Sequence, residues 1–187
     1  MANDAKKVTF GKPKVGGAIF WAPLGTALPA DTDADLDNAF VCLGYASEDG
    51  LKENLSPSTE TIPAWGGDIV AAVTKERETS YSFKLIEALD VNVLKAVFGE
   101  ENVSGTLATG ITVSHNSKDV PAACWVIDMI GTDGAATRKV IPNGKISEIG
   151  EISHVDNEVV GYEVTITAMP GDAAFGYNAA KTYIKQA

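Results

Sequence analysis

Four aspartates at alternate positions, Asp31, Asp33, Asp35 and Asp37 in the stretch DTDADLDNAF, have the spacing that most resembles a metal-binding loop. An EF-hand-like calcium loop supplies oxygen ligands at alternate positions, a glycine at the sixth for a sharp turn, and a bidentate glutamate at the twelfth. Counted from Asp31, the sixth residue is Leu36 and the twelfth is Cys42. Neither fits, so the run reads as a solvated acidic connection leading into a strand. His115 and His154 are the only histidines. His154 with Asp156 has the residue types of a base and its orienter, but no nucleophile stands at a motif spacing and no G-x-S-x-G elbow occurs. The segment NGKIS, residues 143–147, approaches a phosphate loop. Ile146 stands where a Ser or Thr would hold magnesium, and no earlier glycine supports the loop. Cys42 and Cys124 lack the C-x-x-C or H-x-x-x-H spacing of structural zinc. The expectation is a protein that is not an enzyme, with no catalytic residues and no cofactor or metal.

The composition sets the frame for whatever must position these residues. At 187 residues the chain is most simply one domain with a core of its own, and 45% apolar with 21% charged residues is the balance of a globular protein. No run of eighteen apolar residues occurs, so no helical membrane span is expected. The N-terminal MANDAKKVTFGKPK lacks the apolar stretch of a signal peptide, which predicts no secretion by that route. Two cysteines do not make a disulfide framework; reduced, buried thiols are expected. A net charge of −10 argues against gripping nucleic acid by its phosphates. The acid is concentrated: Asp31 to Glu60 holds eight acidic residues and one basic one, Lys52, a local charge of −7. Lys6, Lys7, Lys12 and Lys14 lean the other way.

The dominant hydrophobic period is two. Tyr81, Phe83 and Leu85 alternate with Ser80, Ser82 and Lys84, and Tyr162, Val164, Ile166 and Ala168 alternate with Glu163, Thr165 and Thr167. Residues 39–45, 67–75, 110–115, 123–130, 137–143 and 146–153 complete a mostly-β reading. Asn143-Gly144 is expected to be a tight turn joining the last two, and Gly150 to mark a bulge or bend. One segment, DVNVLKAVFG, has Val91, Leu94, Val97 and Phe98 at helical spacing, with Asp90 as N-cap and Gly99 just past the end. The fold class expected is mainly β: a sandwich or barrel with one short flanking α-helix and a long inter-strand loop. Residues 22–38 read as loop, and 46–67 as a long, acidic, irregular insertion, which in a compact β domain is functional or disordered. Trp125 lies in an apolar run and is expected in the core, and Trp21 in the core or at its rim. Trp65, in PAWGGD, stands in the insertion; either it folds back on its own domain or it contacts a second subunit.

The order of six segments, GKPKVGGAIFWAPLGTALP, FVCLGYASEDGL, AWGGD, FKLIEALDVNVLKAVFG, VIPNGKISEIGEI and GYEVTITAMP, resembles the major tail tube proteins of long-tailed (siphovirus-like) bacteriophages. The resemblance runs from about residue 10 to residue 170. It implies a single tail-tube β domain over 1–170, similar also to the tubes of contractile tails and type VI secretion, with 171–187 as a C-terminal extension. It further implies homohexameric rings stacked into a hollow tube, and a tape-measure protein, tail terminator and tail tip proteins as partners. Double-stranded DNA would pass through transiently without specific binding, and no membrane would be involved. The location implied is the virion, assembled in the host bacterial cytoplasm. The 46–67 segment corresponds to the long assembly loop of such proteins, with Glu53, Trp65 and Asp68 as candidate assembly residues.

If the rings close their sheets into one barrel, polar strand faces line the lumen. Ser82, Lys84, Glu151, Glu163, Thr165 and Thr167 are the candidates, with Ser80 and Ser147 on the same faces, and Lys84 needs Glu163 or Glu151 nearby. The alternative reading is a soluble β-sandwich binding module using Asp31–Asp37 for calcium or a cell-surface ligand.

Overall fold

A computed structural model describes residues 3–186. Eleven strands and one α-helix form among them. In chain order these are β1 (Lys12–Pro13), β2 (Ile19–Pro23), β3 (Val41–Cys42), β4 (Lys52–Pro63), β5 (Ile69–Leu85), α1 (Val91–Phe98), β6 (Val103–Thr106), β7 (Gly110–Val113), β8 (Ala123–Ile130), β9 (Ala136–Ile149), β10 (Tyr162–Ala168) and β11 (Lys181–Lys185). Nine strands make one antiparallel sheet in the order β3-β2-β8-β9-β10-β5-β4, with β1 added to β8 and β11 to β9. β6 and β7 pair separately. The mainly-β architecture with a single helix is therefore as the patterning predicts.

The sheet curls on itself. Phe83 of β5 and Trp125 of β8 meet edge to face with ring centroids 6.1 Å apart. Two strands separate them in the sheet, and a flat sheet spaced at about 4.8 Å per strand would hold them about 14 Å apart. Between them lies the main core of Tyr81, Leu85, Ile127, Ile141, Val164 and Ile166, closed by Val93, Ala96 and Val97 of α1. Eight residues are too few for a helix to persist by propensity alone, so this burial holds α1. Its ends are fixed as the sequence predicts. The Asp90 carboxylate accepts the Asn92 N–H (2.7 Å), and Gly99, at φ 92°, donates its N–H to the Lys95 carbonyl.

The other face of β8 and β9 is covered too. Val126, Val140 and Phe175 form a second cluster with Phe20, Leu28, Leu36, Phe40 and Tyr183 packed on it. A strand buried on both faces needs a continuous apolar run, not an alternating one, which explains ACWVI in β8. Asp128 interrupts that run because it faces Arg138 across the β8–β9 ladder. Arg138 Nε donates to Asp128 Oδ1 (2.6 Å) and Nη2 to Oδ2 (2.8 Å), and both residues are only 4% exposed.

Three expectations about elements need correction. Asn143-Gly144 is not a turn: residues 136–149 form one continuous strand. Gly144 is there for proximity, since a Cβ would stand 2.7 Å from Trp125 Cδ1 and 2.8 Å from Ile166 Cγ2, while Trp125 Nε1 donates to the Gly144 carbonyl (3.2 Å). The irregularities in β9 are not at Gly150: Ser147 is left unpaired against β10 between Glu148↔Thr165 and Ile146↔Ile166, and the β8 register shifts between Ala123↔Gly144 and Trp125↔Ile141. The strand ends at Ile149, where the Gly150 N–H closes the ladder on the Glu163 carbonyl (2.8 Å). Lastly, 46–67 is not irregular. Most of it is β4, which pairs with β5 along its full length, from Lys52↔Ser82 to Pro63↔Ile69. β4 is the last strand of the sheet and carries Pro57 and Pro63. Proline donates no N–H to a ladder and so belongs on an edge strand.

Candidate functional site

The β4–β5 hairpin is an arm that leaves the body. Every residue of β4 and residues 69–78 of β5 are exposed. From Leu55 to Pro63, at about 3.3 Å per residue, the arm spans roughly 30 Å beyond its root. Its turn, residues 64–68, is closed by the Ala64 N–H on the Asp68 carbonyl (2.7 Å) and the Gly67 N–H on the Ala64 carbonyl (3.0 Å). Gly66 and Gly67 sit at φ 109° and 96°, values that only glycine adopts without strain. This glycine pair aims Trp65 outward, fully exposed at 105%. Ile62, Ile69, Val70 and Val73 are exposed around it, an apolar tip of the kind that marks an interaction surface.

At the root the chemistry changes. Lys139 Nζ donates to Glu53 Oε2 (2.6 Å) and to Thr182 Oγ1 (3.3 Å), and the Tyr81 hydroxyl donates to Glu53 Oε1 (2.9 Å). Burial, followed by the Glu53 hydrogen bond, pushes the Tyr81 phenol well above its ordinary range. Glu53, singled out with Trp65 and Asp68 as an assembly residue, is thus the clamp that joins the arm to β9 and β11. Asp68 is in the exposed turn, next to Trp65. The three residues occupy two ends of one element.

The polar strand faces converge on one surface of β5, β10 and β9. Ser82 and Thr165 share a hydrogen bond (2.9 Å), Thr167 donates to Ser147 (3.0 Å), and Ser147 donates to the Thr165 carbonyl (3.2 Å). Ser80 and Thr167 face each other in the ladder, as do Lys84 and Glu163. Glu151 lies past the end of β9, outside the strand face that the alternation assigned it to.

The acidic run Asp31–Asp37 is organised around cations of this chain. Arg138 Nη1 donates to the carbonyls of Asp31 (2.9 Å) and Ala34 (2.7 Å), and Lys185 pairs with the Asp33 carboxylate. Lys185 holds that carboxyl below its ordinary range. The carboxylates do not converge on a common point: Asp31 accepts the Asp33 and Ala34 N–H, Asp37 accepts the Ala39 N–H, and Asp33 pairs with Lys185. His115 packs edge-on against Phe98 (5.3 Å), and His154 lies in the loop after β9.

Sequence reasoning missed β11 and the Asp128–Arg138 pair. The acid inside an otherwise apolar run was the available signal for the pair, and the β-branched and aromatic residues Thr182, Tyr183 and Ile184 for the strand.

Among curated proteins no relative matches the chain. Among solved structures it is similar to the anti-feeding prophage cap, a tube terminating cap determined by cryo-electron microscopy. The two share 12% identity over 100% of both chains, with a TM-score of 0.41. The sequence profile described as phage tail tube protein matches residues 1–185. With that match spanning nearly its whole length, the chain belongs to the phage tail tube protein family.

Proposed function

We propose that this chain, by its family a structural tail protein and a virion component, forms hexameric rings that stack into the hollow tail tube, with the β4–β5 arm reaching an adjacent subunit, and that the tube conducts phage DNA. The observation that carries this reading is the arm itself. A subunit that ended its function as a monomer would expose some 30 Å of two-stranded ribbon and an apolar tip to water for no return. An interface of standard size covers about 800 Å² per partner, and a ribbon of this length supplies that scale of contact.

The hydroxyl-rich face of Ser82, Thr165, Thr167 and Ser147, flanked by Lys84 opposite Glu163, fits a lumen wall: wet, but without a basic grip on phosphates. The net charge of −10 acts in the same sense, since it repels a polyanion. Assembly in the host cytoplasm around a tape-measure protein, ending at terminator and tip proteins, completes the proposal.

Electron microscopy of the purified protein tests it, with rings or tubes expected and monodisperse monomers sinking it. The lumen assignment has its own test. With Cys42 and Cys124 replaced by alanine, Thr165→Cys in assembled tubes should react with a small thiol reagent and resist one too bulky for the bore. Equal labelling by the bulky reagent in tubes and in free subunits would put that face outside.

A further inference from the structure

We propose that Lys139 is a positioning residue for assembly: by bridging to Glu53 it fixes the direction in which the β4–β5 arm leaves the body. This rests on the tube reading and adds to it the device that aims the arm before any contact is made. The ribbon has two strands, but the sheet holds only one of them. β5 pairs with β10 from Leu85 to Thr79 and then continues into the arm, whereas β4 has no neighbour but β5. A ribbon carried by one strand can swing about it; a second attachment, on the other strand, turns the hinge into a bracket. Leu51, just before β4, packs on the main core, and Leu55 is 66% exposed. Glu53, two residues from each, marks where the body ends. Among the described residues its bond to Lys139 (2.6 Å) is the one side-chain bond from β4 to an element other than β5.

The choice of a lysine there points to direction rather than stability. Lys139 stands opposite Ile127 in the β8–β9 ladder, and directly opposed residues share a face. It therefore lies on the side of the main core, and it is 9% exposed. Taking an ammonium and a carboxylate out of water costs about as much as their attraction returns, and an apolar pair of similar volume would close the same place at equal or greater stability. What the ion pair adds is a required geometry. An arm heading elsewhere would leave Lys139 buried without its counter-charge, so wrong headings are penalised. The ammonium is also set from the body side. Thr182 Oγ1 of β11 accepts its second hydrogen bond (3.3 Å), and the Tyr81 ring centroid lies 5.8 Å from Nζ.

Spin-label distance measurements on the free subunit test this. In a Cys42→Ala, Cys124→Ala background, labels at Ala64→Cys in the arm's turn and Glu148→Cys on β9, both exposed positions, should give one narrow distance distribution. Glu53→Gln combined with Lys139→Met should broaden it. The glutamine oxygen still accepts the Tyr81 hydroxyl, so only the cross-link is lost. The unfolding midpoint of this double variant should stay at or above the parental one. Its assembly should need about tenfold more protein, the effect of a freed arm that holds the competent heading about a tenth of the time. Lys139→Arg, which keeps a cation against Glu53, should retain the narrow distribution. An unchanged distribution in the double variant, assembly at the parental concentration, or failure to fold would each overturn the proposal and leave the tube reading standing. If the parent protein forms no assemblies, the tube reading falls, while the distances still decide whether Lys139 sets the arm's direction.

Discussion

Strand β5 has two halves that obey different rules. From Thr79 to Leu85 it alternates between core and half-buried polar face, with Tyr81, Phe83 and Leu85 all at 2% exposure or less. From Ile69 to Glu78 every residue is exposed and the alternation dissolves, with Ile69, Val70, Ala71, Ala72 and Val73 in one unbroken run. The backbone is the same ladder throughout. What differs is burial: the first half packs on the rest of its own chain, and the second half packs on nothing within it. An unbroken apolar run is the pattern of a strand buried on both faces, and the proposed assembly is what would cover it.

The sharpest way to exploit that contrast is to remove the outer half. Replacing residues 58–76 by an Asn-Gly turn between Pro57 and Arg77 should leave a subunit with wild-type circular dichroism and melting behaviour, yet abolish sedimenting assemblies. Loss of the fold would show that the arm belongs to the core. A smaller effect separates the halves by point substitution. Phe83→Ala should cost the free subunit about 3–5 kcal/mol in denaturant unfolding, as for other large aromatics in a packed core. Val73→Ala should stay within about 0.5 kcal/mol, as for surface changes generally. Comparable losses at the two positions would erase the distinction.

Acid offers a milder probe of the body's second face. Asp33 titrates below its ordinary range because Lys185 pairs with it. Its contribution is therefore present above about pH 4 and lost as the pH falls through the lowered value. A fall in the amide protection factors of residues 182–185 on acidification, taken relative to the intrinsic rate at each pH and absent in Lys185→Ala, would report it. The pair is exposed, so the effect is modest. The smallest expectation is zero: millimolar calcium and chelator should give the same melting midpoint, and a rise of several degrees with calcium would overturn the account of the acidic loop.

The body was largely legible in the sequence. Residues 123–130 and 162–168 are strands as their patterns predict, and Asp90 and Gly99 bound the helix, because each of these segments buries one recognisable face or run within its own chain. The arm was legible only as a break in pattern. SPSTETIP has the composition of a loop, and with no buried face in the monomer there is no period to read. The AWGGD turn was its one clear mark. Gly144 misled for a related reason: Asn-Gly reports a turn when the chain is local, whereas here the glycine answers to Trp125, nineteen residues away. The candidate site split in the same way. The hydroxyl face of β5 and β10 followed from alternation, while the places of Glu53, bonded to Lys139 and Tyr81 at the arm's root, and of Glu151, beyond the Gly150–Glu163 bond, depend on long-range contacts that no local pattern encodes.

Pro57 and Pro63 on β4 bear on how such an exposed edge avoids uncontrolled self-pairing. A long, flat, open strand is a template for runaway cross-β stacking, in which each chain donates to the next without limit. Neither imino acid can donate a backbone N–H to a ladder, and prolines on an edge strand work against edge-to-edge pairing. Side chains, not bare backbone, are then left to select what the arm meets.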